Sequence, residues 1–402
     1  MTASIFAAVE MAPRDPILGL NEAFNADTRT TKVNLGVGVY YDDNGKIPLL
    51  GAVKAAEKAR LEAMPPRGYQ PIEGLAAYNN AVQALLLGKD SALIANGQVI
   101  TVEALGGTGA LKVGADFLKR LNPAATVYIS DPSWENHRAL FESAGFPVAT
   151  YPYYDAATGG ANFAGMKAKL ESLAAGSIVV LHACCHNPTG ADITDAQWEE
   201  VVAMCRARNL IPFLDMAYQG FADGIDADAV AVRAFSASGL QFFVSSSFSK
   251  SFSLYGERVG ALSIITASKE EAARVLSQVK RVVRTNYSNP PTHGGAVVAA
   301  VLSNPELRQQ WEEELAGMRL RIREMRKGLA ERLAARGVTR DLSFVTRQRG
   351  MFSYTGLSAE QVEVLKNEFG IYAVSTGRIC VAALNSKNLD YVADALAAAM
   401  KS

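Results

Sequence analysis

The sequence has few cysteines, no surplus of either charge and no long apolar run. Its 402 residues include four Cys, and 40 Lys and Arg against 40 Asp and Glu give a formal net charge of zero. This balance argues against nucleic acid as a main partner, because binding to phosphates needs a basic surplus. The longest apolar stretches, such as 296–302, fall far short of the roughly 20 residues that cross a bilayer. We therefore expect neither a nucleic acid nor a membrane as partner.

The four cysteines argue against a disulfide framework and a zinc site. Cys184 and Cys185 are neighbours, and a bridge between neighbours is strained. On a strand their side chains would point to opposite faces, and no second pair at zinc spacing follows, although His182 and His186 flank them. We therefore expect no metal. The first ten residues lack the basic and apolar segments of a secretory signal, so the cytoplasm is the expected location.

Hydrophobic residues make up 49% of the chain, which is enough for a large core. At roughly 100 to 200 residues per domain, the length of 402 residues predicts about two or three domains. Apolar runs alternate with helical stretches, a pattern typical of an α/β fold with a mostly parallel sheet flanked by helices. The clearest predicted strands are 127–130, 178–182, 211–215, 242–246 and 260–265. Several end in a polar residue, and open α/β sheets bind ligands beyond the carboxyl ends of their strands.

The last third of the chain has a different pattern. A long charged stretch with apolar residues at helical spacing predicts a helix over 304–336 that bridges two domains. Beyond it we predict a strand at 350–354, a helix over 358–369, and strands at 372–374 and 379–382. These elements indicate a small α/β domain.

A glycine-rich turn at 106–109 (Gly-Gly-Thr-Gly) is followed by apolar residues at helical spacing. The start of such a helix offers free backbone N–H groups and the positive end of the helix dipole, which suit a phosphate. The turn is not a Walker loop, because no Gly-Lys-Ser/Thr follows it. It is not a dinucleotide fingerprint either, because Lys112 stands where the third glycine would be. A turn of this kind is more often only a turn, so the alternative remains open at this point.

Two further residues stand at the ends of predicted strands. Lys250 lies in a loop rich in Ser and Phe with no acidic residue before Glu257. A lysine held there would be desolvated, which lowers its pKa and makes it a nucleophile. Asp215 precedes Tyr218 by three residues, and a buried carboxylate needs a specific partner. The alternatives are a solvated loop lysine and an aspartate that caps the following helix.

An activated lysine, an isolated carboxylate and a phosphate cradle are together what pyridoxal phosphate requires. Lys250 would form the Schiff base with the cofactor, and Asp215 would keep the ring nitrogen protonated. The glycine turn, the loop hydroxyls and Arg258 would hold the phosphate. The sequence therefore predicts pyridoxal 5'-phosphate as the cofactor.

The chain resembles the class I aspartate and aromatic aminotransferases, of fold type I among the pyridoxal phosphate enzymes, nearly from end to end. The motifs that carry the resemblance are 34–38 (NLGVG), 106–109 (GGTG), 182–190 (HACCHNPTG), 215–221 (DMAYQGF), 247–250 (SFSK), 256–260 (GERVG), 286–291 (NYSNPP) and 350–352 (GMF). The resemblance implies a large domain over 47–312 that binds the cofactor, and a small domain made of 1–46 and 313–402.

The resemblance also implies roles for individual residues. Lys250 carries the cofactor and later moves a proton, Asp215 pairs with the ring nitrogen, and Tyr218 bonds the phenolic oxygen. The other implied cofactor contacts are Trp134 on the ring, His137 behind Asp215, Asn187 on the phenolic oxygen, and Gly107, Thr108, Ser247, Ser249 and Arg258 at the phosphate. Tyr69 matches a phenol lent to that phosphate by the other subunit of a homodimer.

On the substrate side, Arg378 resembles the arginine that binds the α-carboxylate as a bidentate fork, with help from Asn187 and the backbone of Gly38. Arg284 matches the arginine that crosses the dimer to a distal carboxylate. Without the family, Arg284 would be taken for a surface residue of a charged helix. The other expected substrate contacts are Trp134, Tyr41, Ile47 and Phe352.

Tyr41 and Ile47 stand where members that prefer dicarboxylates have Lys and Thr, so the entrance is less cationic and suits an aromatic side chain. Asn289 and Thr108, however, resemble the aspartate branch. We therefore predict that tyrosine and phenylalanine, and also aspartate, donate an amino group to 2-oxoglutarate by a ping-pong mechanism. The alternative is an aspartate aminotransferase with only minor aromatic activity.

Two other classes share parts of this pattern. A lyase or decarboxylase of the same fold would keep Lys250 and Asp215, but the pair Arg378 and Arg284 favours a site for amino and oxo dicarboxylates. A non-catalytic binding protein on this scaffold would have lost Lys250 or Asp215, and both are present.

Overall fold

The computed structural model describes residues 4–401. Its strands are β1 (Val33–Asn34), β2 (Val99–Leu105), β3 (Val127–Asp131), β4 (Val148–Pro152), β5 (Tyr154–Asp155), β6 (Gly160–Ala161), β7 (Ile178–His182), β8 (Ile211–Met216), β9 (Phe242–Ser247), β10 (Val259–Ile265), β11 (Phe352–Tyr354), β12 (Ile371–Tyr372) and β13 (Arg378–Cys380). Seven of them form the central sheet, in the order β2-β10-β9-β8-β7-β3-β4. Only β10 runs antiparallel to its neighbours in that sheet. The predicted mostly parallel α/β sheet is therefore confirmed.

Helices cover the sheet and continue beyond it. They are α1 (Leu18–Ala26), α2 (Gly51–Ala63), α3 (Ala76–Leu87), α4 (Ala92–Ala95), α5 (Gly106–Leu121), α6 (Glu135–Ser143), α7 (Phe163–Glu171), α8 (Asp195–Arg208), α9 (Val230–Ala237), α10 (Lys269–Asn286), α11 (Thr292–Ser303), α12 (Pro305–Ala335), α13 (Ser343–Arg347), α14 (Ala359–Phe369) and α15 (Leu389–Lys401). Two 3₁₀ turns, Ala227–Ala229 and Val381–Ala383, complete the set. None of the helices over residues 4–401 is long and apolar enough to span a membrane.

The helix starts follow local chemistry. The side chain of Asn304 accepts hydrogen bonds from the first N–H groups of α12, and Pro305 takes the first helical position, where its missing N–H costs nothing. Ser358 and Gln361 form a reciprocal capping box at the start of α14. Both predicted helices are confirmed to within one residue at each end, because the capping residues themselves lie just outside the helix.

The predicted strands of the central sheet are also confirmed to within one residue, but the last third of the chain differs. The ladder ends at Tyr372, so the strand expected over 372–374 is shorter and begins one residue earlier. Likewise β13 ends at Cys380, because the next three residues turn into a 3₁₀ helix. The residues wrongly assigned to these strands, Ala373, Val374, Val381 and Ala382, are apolar because they are buried in the core. A residue can be buried without pairing in a sheet, so an apolar pattern alone overestimates the strand length.

The strand assignment for the two neighbouring cysteines is wrong. Cys184 and Cys185 lie after β7, and Cys185 has a left-handed backbone with φ of 53°. Their sulfur atoms therefore do not point to opposite faces, and with a carboxylate oxygen of Asp228 they lie within 4.8 Å of one another. That carboxylate already accepts hydrogen bonds from four backbone N–H groups of the turn before it.

The two ends of the chain meet in a second region beside the sheet. Here β1 pairs in parallel with β12, and β11 pairs with β13. The long helix α12 packs against α2, α11, α13 and α15. The pairing of β1 with β12 supports a second domain built from both chain ends, while the boundaries at 46/47 and 312/313 remain a prediction.

Candidate active site

A cavity of about 250 Å³ opens at the carboxyl ends of β7, β8 and β9, beside the start of α5. Predicted site residues that line it are Gly38, Gly107, Thr108, Trp134, Asn187, Asp215, Tyr218, Ser247, Ser249, Lys250, Arg258, Phe352 and Arg378. This is the edge at which open α/β sheets bind ligands. Residues far apart in sequence are thus collected in one place.

One end of the cavity is built to receive an anion. Helix α5 starts at Gly106, and no side chain caps its first N–H groups, so these donors are available to a ligand. Ser249 and Arg258 lie at the same end, with Arg258 Nη1 3.4 Å from Ser249 Oγ. Free backbone donors, hydroxyls and a guanidinium are the groups that bind phosphate.

The glycines of the turn are required by these close approaches. Gly106 has φ of +69°, and a Cβ there would lie 2.5 Å from Nη2 of Arg258. At Gly107 a Cβ would lie 3.2 Å from Cβ of Ser247, while Ser245 donates a hydrogen bond to the Gly107 carbonyl at 3.1 Å. A side chain at either position would crowd the cradle. Its place at the cavity wall is consistent with a phosphate cradle, and its role in binding a phosphate stays a prediction.

Lys250 follows β9 by three residues and lines the cavity. Its Nζ lies 5.1 Å from the centroid of the Tyr218 ring. Burial lowers the pKa of the Lys250 amine to about 8; the negative charge of Asp215 opposes this effect and the positive charge of Arg258 adds to it. The direction agrees with the sequence prediction, and a large share of the amine is uncharged just above neutral pH.

Asp215 lies within β8, not at the start of a helix, so the capping alternative is wrong. Burial alone would raise the pKa of its carboxyl, but the hydrogen bond from His137 and nearby positive charges hold that pKa below its ordinary value. Because Asp215 is therefore ionised, His137 Nε2 donates to it, at 2.8 Å, and Ser133 Oγ lies 2.9 Å from the other ring nitrogen. His137 is fully buried and stands behind Asp215 without lining the cavity.

His182, the last residue of β7, was considered in the sequence only for zinc. It lines the cavity, and both of its ring nitrogens are buried without a hydrogen-bond partner among residues 4–401. Burial lowers the pKa of its imidazole to about 3, so the ring is neutral. Its ligand atom lies within 4.8 Å of those of His137 and Asp215, but the last two are already hydrogen-bonded to each other. Unpaired nitrogens at a cavity wall are contacts that a bound ligand or water can complete.

The opposite end of the cavity is built around Arg378 in β13. This guanidinium is 2% exposed, and it donates to the Asn187 side-chain oxygen at 3.2 Å and to the Gly36 carbonyl at 2.5 Å. Its Nε is buried and has no partner within the described chain. A buried cation with an unused donor is suited to a carboxylate.

Aromatic rings flank this carboxylate end. Phe352 stacks on Arg378, with 4.3 Å between the guanidinium carbon and the ring centroid, and Tyr218 meets Phe352 edge to face at 6.0 Å. Tyr255, absent from the sequence-based set, also lines the cavity and accepts a hydrogen bond from the Tyr40 N–H at 3.0 Å. Its hydroxyl fixes the chain between Gly38 and Tyr41, a contact across 215 residues that no local pattern reveals.

Besides His137, four predicted residues do not line the cavity of the single chain. Tyr69 is 95% exposed, and Arg284 is exposed on the last turn of α10, where it bonds Ser288. Ile47 is 47% exposed, and Tyr41 is half-buried against the core. Their roles remain predictions.

The groups present fit pyridoxal phosphate. The free donors around Gly107 and Arg258 suit its phosphate, the amine of Lys250 suits its aldehyde, and the ionised Asp215 suits a protonated ring nitrogen. The cavity thus holds an amine, a carboxylate and two anion sites at opposite ends. Such an arrangement can bind a phosphorylated cofactor together with a carboxylic acid substrate.

Comparisons with known proteins agree with this assignment. The family model described as aminotransferase class I and II matches residues 30–396. The aspartate aminotransferase of Pseudomonas aeruginosa is 70% identical over 393 residues, which cover 98% of this chain and 99% of that protein. The aromatic-amino-acid aminotransferase of Escherichia coli is 52% identical over 398 residues, which cover 98% of this chain and 100% of that protein.

A solved structure gives the same fold. The crystal structure of aromatic-amino-acid aminotransferase from Burkholderia pseudomallei, covalently bound to pyridoxal phosphate, superposes with a TM-score of 0.97 at 71% identity, covering 99% of this chain and 100% of that chain. The Pseudomonas and Burkholderia proteins are similar to this chain to nearly the same degree and are named for different substrates. Overall identity therefore does not choose between the substrates.

Proposed function

Because the chain belongs to the class I and II aminotransferase family, we propose that it transfers the amino group of tyrosine, phenylalanine and aspartate to 2-oxoglutarate. The observation that carries this proposal is the meeting of Lys250, Asp215 and Arg378 in one cavity. The resemblance found in the sequence motifs is confirmed at the level of the family. The choice of substrate is the part that needs an experiment.

The cavity walls support an aromatic donor. The cavity is also lined by Trp134, Ile17 and Phe352, and Phe352 stacks on Arg378. Within residues 4–401 the cations lining the cavity are Lys250, Arg258 and Arg378, and the first two belong to the cofactor end. One chain thus supplies a carboxylate site beside apolar walls, which fits an aromatic amino acid. The 70% identical Pseudomonas protein, named for aspartate, supports the alternative of an aspartate enzyme with minor aromatic activity.

A second copy of the chain would supply what the single cavity lacks. We propose a homodimer in which Arg284 binds the distal carboxylate of aspartate or 2-oxoglutarate in the partner's site and Tyr69 bonds the partner's cofactor phosphate. The exposure of both side chains supports this, as does the exposure of Leu61 and Met64 close to Tyr69 in sequence. The four cysteines are free thiols, which supports a reducing, cytoplasmic location.

The residues divide the reaction between them. Pyridoxal phosphate, when bound, withdraws electrons from the substrate's α-carbon and holds the amino group between the two half-reactions. The amine of Lys250 removes the α-proton and returns it, which its lowered pKa of about 8 allows near neutral pH. Asp215, held ionised by His137, stabilises positive charge on the cofactor ring. Arg378 holds the α-carboxylate and so fixes the Cα–H bond in reach of Lys250.

The decisive experiment compares kcat/KM for tyrosine and aspartate with 2-oxoglutarate as acceptor. A preference for aspartate of about a hundredfold or more, equal to about 2.7 kcal/mol, would establish the alternative. A second experiment omits the acceptor. A transaminase then releases one equivalent of oxo acid per site and stops, whereas a lyase continues and a binding protein releases nothing.

A further inference from the structure

Arg326, in the middle of α12, is a buried cation with no acidic partner. It is 2% exposed, and none of the ion pairs among residues 4–401 includes it. Burial lowers the pKa of its guanidinium to about 10, so it keeps its charge at neutral pH. Because burying an unpaired charge is costly, the guanidinium must make contacts that offset this cost.

Those contacts are three backbone carbonyls of one short segment. Nη1 donates to Val345 at 3.0 Å, and Nη2 donates to Gly350 at 2.7 Å and to Phe352 at 2.5 Å. Val345 lies in α13 and Phe352 begins β11. One planar guanidinium therefore ties the segment 345–352 to the long helix at three points. A lysine ammonium, which lacks this fork, would hold the segment less well.

The segment is tightly constrained on its other side as well. Gly350 has φ of +80°, and a Cβ there would lie 2.5 Å from the Cβ of Cys185. A Cβ at Gly190 would lie 2.6 Å from the Phe352 carbonyl oxygen, which is the same oxygen that Arg326 binds. The backbone of Phe352 thus has little freedom while Arg326 is in place.

The ring of Phe352 contacts the substrate end of the cavity, so the position of its backbone affects that end. It lies 4.3 Å from the guanidinium carbon of Arg378, and a Cβ at Gly38 would lie 2.7 Å from its Cζ atom. In addition, Phe352 and Arg378 belong to paired strands, in which Phe352 faces Cys380 and Tyr354 faces Arg378. A shift of the Phe352 backbone would therefore change the support under the flat face of Arg378.

We propose that Arg326 is a positioning residue for substrate binding: it holds Phe352 against Arg378 and so presents the edge of that guanidinium to the α-carboxylate. This inference rests on the proposed role of Arg378. Every amino acid and oxo acid substrate carries an α-carboxylate, so loss of Arg326 weakens the binding of all substrates by a common factor. The ratio of tyrosine to aspartate activity stays the same, unlike the effect of a residue that contacts the side chain.

The experiment uses the holoenzyme with Arg326→Met and Arg326→Lys, and Arg332→Met as the control. Arg332 is on the same helix and pairs with Asp390 away from the cavity. We expect Arg326→Met to raise KM for tyrosine, aspartate and 2-oxoglutarate together by about tenfold, with a smaller change in kcat, and Arg326→Lys to give an intermediate rise. The control keeps the KM values of the unmodified enzyme.

A purely structural role predicts a different result. Arg326→Met or Arg326→Lys would then lower the melting temperature and the fraction of active sites but leave every KM unchanged, and this outcome overturns the proposal. A rise confined to aspartate or to tyrosine overturns it too. If Arg326→Met fails to fold, the lysine variant still decides, together with Phe352→Leu. Because both residues act on one contact, combining Arg326→Lys with Phe352→Leu should raise KM little beyond Phe352→Leu alone.

Binding without catalysis separates this inference from the proposed function. The probe is 3-phenylpropanoate, which carries a carboxylate and a ring but no amine, titrated into each holoenzyme variant. Its dissociation constant should rise about tenfold in Arg326→Met, whether or not tyrosine proves to be a good substrate. An unchanged dissociation constant overturns the role of Arg326, whereas absence of turnover in the unmodified enzyme overturns only the proposed function.

Discussion

The two ends of the cavity bind anions by different means. At the cofactor end, the donors are largely backbone N–H groups at the start of α5, held by a seven-stranded sheet and by glycines that leave no room for a side chain. At the substrate end, the donor is one arginine on a three-residue strand, positioned by Phe352 and Asn187.

This difference matches two kinds of ligand. Backbone donors are fixed with the fold and suit a group that stays bound through many turnovers. A side-chain donor on short strands can be adjusted by its neighbours, which suits a substrate that must enter and leave. We therefore expect substitutions at the cofactor end to abolish the reaction, and substitutions at the substrate end to change KM and selectivity.

The largest effect is expected from Lys250→Ala at the cofactor end. Without the amine no group takes the α-proton, and kcat should fall by at least about 10⁴-fold. Steady-state turnover of tyrosine and aspartate measures it, with Lys167→Ala as the control because Lys167 is a surface lysine paired with Glu200. Retention of more than about one hundredth of the activity would show that another residue moves the proton.

Arg378→Lys tests the substrate end. An ammonium cannot form the bidentate fork and lacks the Nε donor, so kcat/KM should fall by about 10²-fold, or about 2.7 kcal/mol, for every substrate. The fall should appear mainly in KM, measured with tyrosine, aspartate and 2-oxoglutarate. If kcat alone fell, Arg378 would act on the chemical step, and the contrast between the two ends would fail.

Arg284→Leu asks whether the substrate end is completed by a second chain. We expect kcat/KM for aspartate and 2-oxoglutarate to fall by up to about 10²-fold, because the distal carboxylate loses its partner. The half-reaction with tyrosine should change less than about threefold. Arg281→Leu is the control, since Arg281 is exposed on the same helix. Equal effects on both donors would exclude Arg284 as the reader of the distal carboxylate.

The smallest effect concerns pH at the cofactor end. The nucleophile is the uncharged amine, and the pKa of Lys250 is about 8, so its uncharged fraction rises about tenfold between pH 7 and pH 9 and then levels off. The rate at which cofactor-free enzyme bonds pyridoxal phosphate should follow this curve, as recorded by absorbance after rapid mixing. A rate that still rises steeply above pH 10 would mean that burial does not lower the pKa of this amine.

Local sequence predicted the cofactor end well. The strand before Lys250 begins with an apolar run and ends in a hydroxyl-rich stretch, and the strand that holds Asp215 is an apolar run with the aspartate near its end. The sheet places such stretches at one edge whatever the rest of the chain does. In the same way, the glycine turn could be assigned because a helix start supplies its own donors.

Contacts between distant parts of the chain were harder to predict. Tyr255 and His182 line the cavity, yet Tyr255 lies in none of the motifs, and His182 was weighed only as a zinc ligand although it ends a predicted strand. Arg326 looks like any basic residue of a charged helix until its three carbonyl partners are known. The two cysteines were treated as strand residues, but they follow the end of β7 at His182, and Cys185 has a left-handed backbone although it is not a glycine.

The sequence by itself determined the chemistry: an amine nucleophile, a carboxylate for the ring and arginines for anions, within one recognisable family. Only the tertiary structure decided where the arginines point. Arg258 and Arg378 line the cavity, the guanidinium of Arg326 donates its hydrogen bonds to backbone carbonyls, and Arg284 is exposed on its helix. The reason is physical: an arginine has the same charge everywhere, but its partners and its burial depend on how separate segments of the chain pack together.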